Sequence, residues 1–273
     1  MTQEAESVVK FFIADGIATV SLNRPERLNA WDDDMEDDLR AAMLSVSSNP
    51  EVKVIVLTGE GKAFCAGADM KRLERLGQGK QQRIKRLPFN NEAAIEFRTQ
   101  YSYFPAISKP VICAINGAVA GIAFTLALYC DLRFASDRAV FVTSFARRGL
   151  VAEHGASYLL PALVGQGNAM DLMLSGRKID AQEAYRIGLV ERIFPHDELL
   201  ARTYEYARML VESCSPRAMG IIKRQVWEAP THGLRTSIDV SDMEIRLCME
   251  QSEDFREGVA HFLEKRPARF TGR

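Results

Sequence analysis

The chemistry this chain is best equipped for sits in backbone groups, in two stretches rich in small residues. One is Lys62-Ala63-Phe64-Cys65-Ala66-Gly67-Ala68-Asp69-Met70. The other is Ile115-Asn116-Gly117-Ala118-Val119-Ala120-Gly121-Ile122-Ala123-Phe124-Thr125-Leu126-Ala127-Leu128-Tyr129-Cys130-Asp131. Each leaves a strand-like run and enters a helix-like one, and the first turn of a helix carries unpaired N–H groups at the positive end of its dipole. Asp69 suits such a first turn electrostatically. Two loops of this kind could aim one N–H apiece at a single point, which is the geometry of an oxyanion hole. The plainer alternative is a pair of helix starts whose N–H groups meet water or a neighbouring carbonyl.

The elements that must position these loops are legible in the pattern. Apolar, β-branched runs at 52–58 and 111–115 read as buried strands, closed by Gly59-Glu60-Gly61 and Asn116-Gly117 respectively. From 122 to 129 no residue is charged and apolar positions fill every face, so this helix belongs inside the protein. Upstream, 8–14 and 17–22 are strand-like and joined by Asp15-Gly16, a dipeptide suited to a tight hairpin. Residues 32–46 carry acids at the front and Met35, Leu39, Met43 and Val46 on one side, the mark of an amphipathic surface helix. Strand-like runs at 132–135 and 139–142 repeat the rhythm. Between 71 and 100 the chain turns polar and basic, with Arg72, Arg75, Lys80, Arg83, Lys85 and Arg86. It reads either as a solvated insertion or as a flap over a ligand. A short helix at 180–184, a strand at 190–194 and three or four helices over 197–263 complete the chain. There Met209, Ile221, Ile222, Trp227, Ile245, Leu247 and Met249 offer more apolar surface than a helical arm buries on itself, so a partner surface is expected.

Composition narrows the classes. The 273 residues are 47% hydrophobic and 26% charged, enough for one large core plus an appendage. A formal net charge of -1 argues against nucleic acid or an anionic membrane as the main partner. Five cysteines without CxxC spacing fit a reducing cytoplasm. The acidic, polar start shows no signal-peptide pattern, no apolar run is long enough to span a bilayer, and four scattered histidines assemble no zinc motif.

Asn23-Arg24-Pro25-Glu26-Arg27-Leu28-Asn29-Ala30, then Phe64-Cys65-Ala66-Gly67-Ala68-Asp69, then Asn116-Gly117-Ala118-Val119-Ala120-Gly121 resemble the enoyl-CoA hydratase/isomerase (crotonase) family, and the resemblance extends from Val8 to Phe262-Leu263-Glu264-Lys265-Arg266. It implies an α/β fold, a crotonase-like spiral of ββα repeats over residues 1–195, with a C-terminal helical oligomerisation region at 196–273. It further implies a homotrimer or dimer of trimers, an acyl-CoA substrate, and no metal or other cofactor beyond the coenzyme A that the substrate carries. The oxyanion donors become the N–H groups of Ala68 and Ile122, next to Gly121. Arg27, Leu28, Ala30, Lys62, Ala66, Asp69 and Met70 match coenzyme A contact positions, and Phe262 and Lys265 lie where relatives reach a nucleotide or acyl chain.

The chain departs from family hydratases in its side chains. Register from Asn116-Gly117 places Thr125 where they carry one catalytic glutamate, and register from Gly149 places Phe145 where they carry the other. Neither is a carboxylate base, so hydration through two glutamates is not expected. Glu153 stands where family isomerases keep their acidic residue. By itself Glu153 could equally favour the start of the helix carrying Tyr158, Leu159 and Leu160. With the resemblance, it is the expected base of a 3-enoyl to 2-enoyl shift, its pKa pushed upward by apolar neighbours Phe145, Leu150 and Val151. Another crotonase-type reaction on a CoA thioester, including hydration, and a non-catalytic CoA- or RNA-binding scaffold are the alternatives.

Overall fold

The computed structural model describes residues 7–79 and 89–273; Lys80, Arg83, Lys85 and Arg86 of the basic stretch lie outside them. Strands β1 (Val9–Ala14) and β2 (Ile17–Leu22) pair antiparallel, and the Asp15-Gly16 turn between them has φ of 51° and 77°, the left-handed values that a two-residue hairpin demands. Helix α1 (Asp33–Ser48) is capped by Asp32, whose side chain accepts the Met35 N–H, and buries the stripe Met35, Leu39, Ala42, Met43 and Val46. One charged residue, Glu36, is buried on that same stripe.

The next three turns of chain share one plan. β3 (Val54–Gly59) leads to β4 (Ala63–Cys65) and helix α2 (Met70–Gly77); β5 (Val111–Ile115) leads to β6 (Ala118–Ala120) and helix α3 (Ile122–Leu128); β7 (Leu132–Ser136) leads to β8 (Val140–Val142) and, after a longer loop, helix α4 (Ala156–Val164). The first strand of each turn joins a six-stranded sheet and the second joins a four-stranded one. β3, β5 and β7 are therefore parallel neighbours, and so are β4, β6 and β8. This is the ββα spiral that the resemblance implied. The expected strand at 52–58 begins only at Val54, because the Val52 N–H bonds the Asn49 carbonyl at 3.1 Å in the turn that ends α1.

Helix α5 (Gln166–Ser175), the short strand β9 (Ile179–Asp180), helix α6 (Ala181–Arg186) and strand β10 (Arg192–Phe194) close the two sheets. Helix α7 (Leu199–Ser213) then crosses the outer face of the large sheet. Alternate residues of a strand face opposite sides, and here Ile55 and Leu57 enter the main core while Val54 and Val56 pack with Leu199 and Ala207 beneath α7. Both faces are covered, which is why these strands read as continuous apolar runs. Helices α8 (Pro216–Glu228), α9 (Leu234–Gln251) and α10 (Glu253–Glu264) follow. Asp131 fastens α8 to the core: it accepts the Val111 N–H and the Trp227 indole N–H, each at 2.7 Å, and pairs with Lys223 at 2.8 Å. Among the described residues no helix is long and apolar enough to cross a membrane.

Candidate active site

Because β4, β6 and β8 run parallel side by side, the loops that follow them leave at one edge of the small sheet, with neighbouring strands about 4.8 Å apart. The carboxyl ends of parallel strands are where α/β folds gather ligand-binding groups. The first two loops touch. A Cβ on Gly67 would come within 3.1 Å of the Ala120 carbonyl oxygen, and Gly67 has φ of 94°, so a side chain there would both clash and strain. The second loop is tied to the third by the Gly121 N–H, which donates to the Val142 carbonyl at 3.1 Å. Gly121 itself has φ 52° and ψ -121°, a conformation open to glycine alone.

Hydrogen bonding orients the two expected donors. The Trp31 N–H donates to the Gly67 carbonyl and the Asp69 N–H donates to the Trp31 carbonyl, each at 2.8 Å, so both groups flanking Ala68 face Trp31. Alternation then turns the N–H of Ala68 to the opposite side. In α3 the Thr125 N–H bonds the Gly121 carbonyl at 3.1 Å, and the helix supplies no earlier acceptor for Ile122. All seven residues of α3 are buried, as its uncharged sequence required.

Asp69 is buried at the head of α2. Its carboxylate accepts the Lys71 N–H at 2.9 Å and pairs with Arg27 at 3.2 Å and Arg24 at 3.6 Å. Burial works against ionisation, but these partners outweigh it and hold the pKa below the usual carboxylate value. This side chain is occupied in shaping the loop. Around it Arg27, Leu28, Lys62, Ala66 and Met70 are exposed and Ala30 is half-buried. The Leu28 carbonyl accepts the Ala66 N–H at 3.0 Å, binding the 23–30 turn to the first loop. Phe262 is 76% exposed and Lys265 ends α10, which packs chiefly on α9. Within one chain these two residues are not drawn to the small sheet's edge.

The third loop carries Glu153. Helix α4 starts at Ala156 behind Gly155 with no side-chain cap, so the carboxylate does not serve as one. It is half-buried, 3.8 Å from Nε2 of His154. Burial raises its pKa above the ordinary 4.5, opposed by the field of Arg72. The expected direction holds but its source differs from the expectation: Leu150 and Val151 are 45% and 81% exposed. They face solvent to that extent, while the adjacent His154 ring, 3.8 Å from the carboxylate, packs against Tyr101 with ring centroids 4.2 Å apart. Phe145 is buried with the main core. Thr125 is buried too, and its hydroxyl finds no hydrogen-bond partner among the described residues.

Arg72 and Arg75 of the basic stretch are turned toward α1. Arg72 lies 3.1 Å from Asp33 and 3.6 Å from Glu36, and Arg75 lies 3.7 Å from Asp33. Sequence reasoning passed over Glu36, Tyr101 and this use of Arg72. The available signal was an acid on the apolar stripe of an amphipathic helix, since a buried charge must find partners.

The enoyl-CoA hydratase/isomerase profile matches residues 13–273, and the chain belongs to that family. It is 34% identical over 263 residues to the 1,2-epoxyphenylacetyl-CoA isomerase of Escherichia coli (strain K12), covering 96% of this chain and 97% of that protein. Its fold resembles the crystal structure of an enoyl-CoA hydratase/isomerase from Mycobacterium paratuberculosis, with a TM-score of 0.85 at 30% identity over 97% of this chain and 99% of that one. An enoyl-CoA hydratase from Bacillus anthracis gives 0.82 at 28% identity, over 97% and 100%.

Proposed function

We propose that this protein moves a double bond in an enoyl-CoA, from the 3- to the 2-position, through a thioester enolate. The observation that carries this reading is the inventory at the edge of the small sheet: one half-buried carboxylate, Glu153, with Thr125 and Phe145 at the two registers where a hydratase would need glutamates. In a 3-enoyl thioester the C2 proton is acidified because its loss gives a conjugated enolate. The N–H groups of Ala68 and Ile122 receive the negative oxygen, each such donor supplying about 3 kcal/mol of transition-state stabilisation. Glu153 takes the proton from C2 and returns it to C4. No water is consumed, and the buried Phe145 helps to keep water away. The rim of exposed Arg27, Leu28, Lys62, Ala66 and Met70 with half-buried Ala30 receives the coenzyme A moiety, with Arg27 and Lys62 facing its phosphates.

Incubating the protein with 3-enoyl-CoA and with 2-enoyl-CoA tests the reading. A 2-enoyl product from the first is expected; a 3-hydroxyacyl product from the second would replace isomerisation by hydration, and coenzyme A binding without turnover would leave a scaffold. Self-association belongs to the same proposal. Ile222, Val226, Leu234, Met249, Phe262 and Leu263 on the last three helices are each more than half exposed, and a homotrimer or dimer of trimers would cover such surface. Light scattering of the eluted protein gives the number of subunits.

A further inference from the structure

The loop that carries Glu153 turns sharply before it enters α4. The Ala156 N–H donates to the Glu153 carbonyl at 2.9 Å, and the two residues between them have left-handed backbone, with φ of 50° at His154 and 86° at Gly155. That is the pattern of a type I′ turn, which glycine adopts freely and a residue with a Cβ only at a cost. A residue other than glycine keeps such a conformation where its surroundings hold it. Two contacts hold His154. Its ring packs on Tyr101 with centroids 4.2 Å apart, and its carbonyl accepts a hydrogen bond from the Tyr129 hydroxyl at 2.7 Å. Helix α4 makes its own first bonds through the Gly155 carbonyl, which accepts the Tyr158 and Leu159 N–H groups at 3.0 Å, so the His154 carbonyl is left to Tyr129.

Tyr129 is itself fixed from two sides. It ends α3, the helix whose first N–H, at Ile122, receives the enolate oxygen in the mechanism above, and its ring stacks on Trp227 of α8 with centroids 6.3 Å apart. The Trp227 indole N–H in turn donates to Asp131 at 2.7 Å. The turn fits closely over the phenol: a Cβ on Gly155 would come within 2.6 Å of the Tyr129 oxygen, while the ring carbon bearing that oxygen would lie 3.6 Å away. One short buried helix thus touches both halves of the site, with a backbone N–H at its start and a phenol at its end, seven residues or about 10 Å further along its axis.

We propose that Tyr129 is a positioning residue for the proton transfer: by holding the His154 carbonyl, its hydroxyl keeps the Glu153 carboxylate in register with the oxyanion donor at the other end of α3. This rests on Glu153 being the base. A displaced base costs rate rather than substrate affinity. Loss of one oxygen from Tyr129 therefore lowers kcat and spares KM, whereas a phenol that only packed the core would change neither.

The test measures kcat and KM with 3-enoyl-CoA for wild type, Tyr129→Phe, Gly155→Ala and the double variant. Tyr129→Phe should lower kcat about tenfold with KM within about twofold. Gly155→Ala drives a Cβ against the hydroxyl and should lower kcat about thirtyfold. Once Tyr129→Phe removes that oxygen the collision is gone, while the strain of a Cβ at φ 86° is common to both backgrounds. The double variant should therefore lose about thirtyfold rather than about three-hundredfold, the product of the single losses. Losses that multiply, a KM that rises as kcat falls, or a Tyr129→Phe kcat within about twofold of wild type overturn the proposal. If Gly155→Ala does not fold, kcat and KM of Tyr129→Phe decide alone. If wild type does not turn over 3-enoyl-CoA, the isomerase reading falls, and hydrogen exchange of the Ala156 amide decides whether Tyr129 holds the turn: about tenfold faster exchange in Tyr129→Phe supports it and an unchanged rate overturns it.

Discussion

The loops after β4 and β6 differ in kind from the loop after β8. The first two present backbone N–H groups, and their side chains are small, apolar or, in Asp69, engaged with arginines. The third presents a side chain, and its backbone matters in setting Glu153 beside His154 and the His154 ring against Tyr101. Tolerance to change should differ accordingly. In the backbone pair the sensitive residues are those that let two strands approach, above all Gly67. In the side-chain loop the sensitive residue is the acid itself.

The largest effect that this contrast foretells is at Glu153. Glu153→Gln keeps the shape and removes the base, so kcat for isomerisation should fall by about a thousandfold with acyl-CoA binding retained, measured by rapid-mixing kinetics and calorimetry. Gly67→Val comes next. It forces the first loop away from Ala120 and misplaces the Ala68 N–H, for a loss of about a hundredfold in kcat, readable in the same assay beside an unchanged far-UV spectrum. Equal sensitivity of Ala66→Ser and Gly67→Val would break the distinction between backbone and side-chain loops.

The pH profile sharpens it further. Glu153 must be ionised to accept a proton, and burial raises its pKa, so kcat should climb with pH through a midpoint above 4.5, the ordinary glutamate value. The smallest effect falls at Thr125. Its buried hydroxyl lacks a partner, so Thr125→Val should leave kcat within about twofold and stabilise the fold by about 1 kcal/mol in a denaturant titration. Loss of activity there would return the hydroxyl to the chemistry and with it the case for a bound water.

Much of the backbone half was readable in advance. The seven buried positions of α3 follow from an uncharged stretch that has no other place to go, and β5 falls where its β-branched run lies. The same reasoning found Glu153 only through family register, since the local pattern suited a helix start just as well. It misassigned the cover over Glu153 to Leu150 and Val151, because nearness along the chain says nothing of which side of a loop faces water. Glu36 escaped notice because its partners lie 36 and 65 residues further on, in segments with no pattern to tie them to α1.

Residue order alone determined the local conformations: periodicity set the helices and strands, and glycine set the turns that only it can make. Only the tertiary structure decided which of those pieces meet. Parallel pairing of β4, β6 and β8 joins segments separated by whole ββα turns, and the shifts at Glu153 and His154 come from burial that exists only in the folded chain. Hydrogen-bond register and solvent exclusion are properties of the assembled core, so no window of sequence contains them.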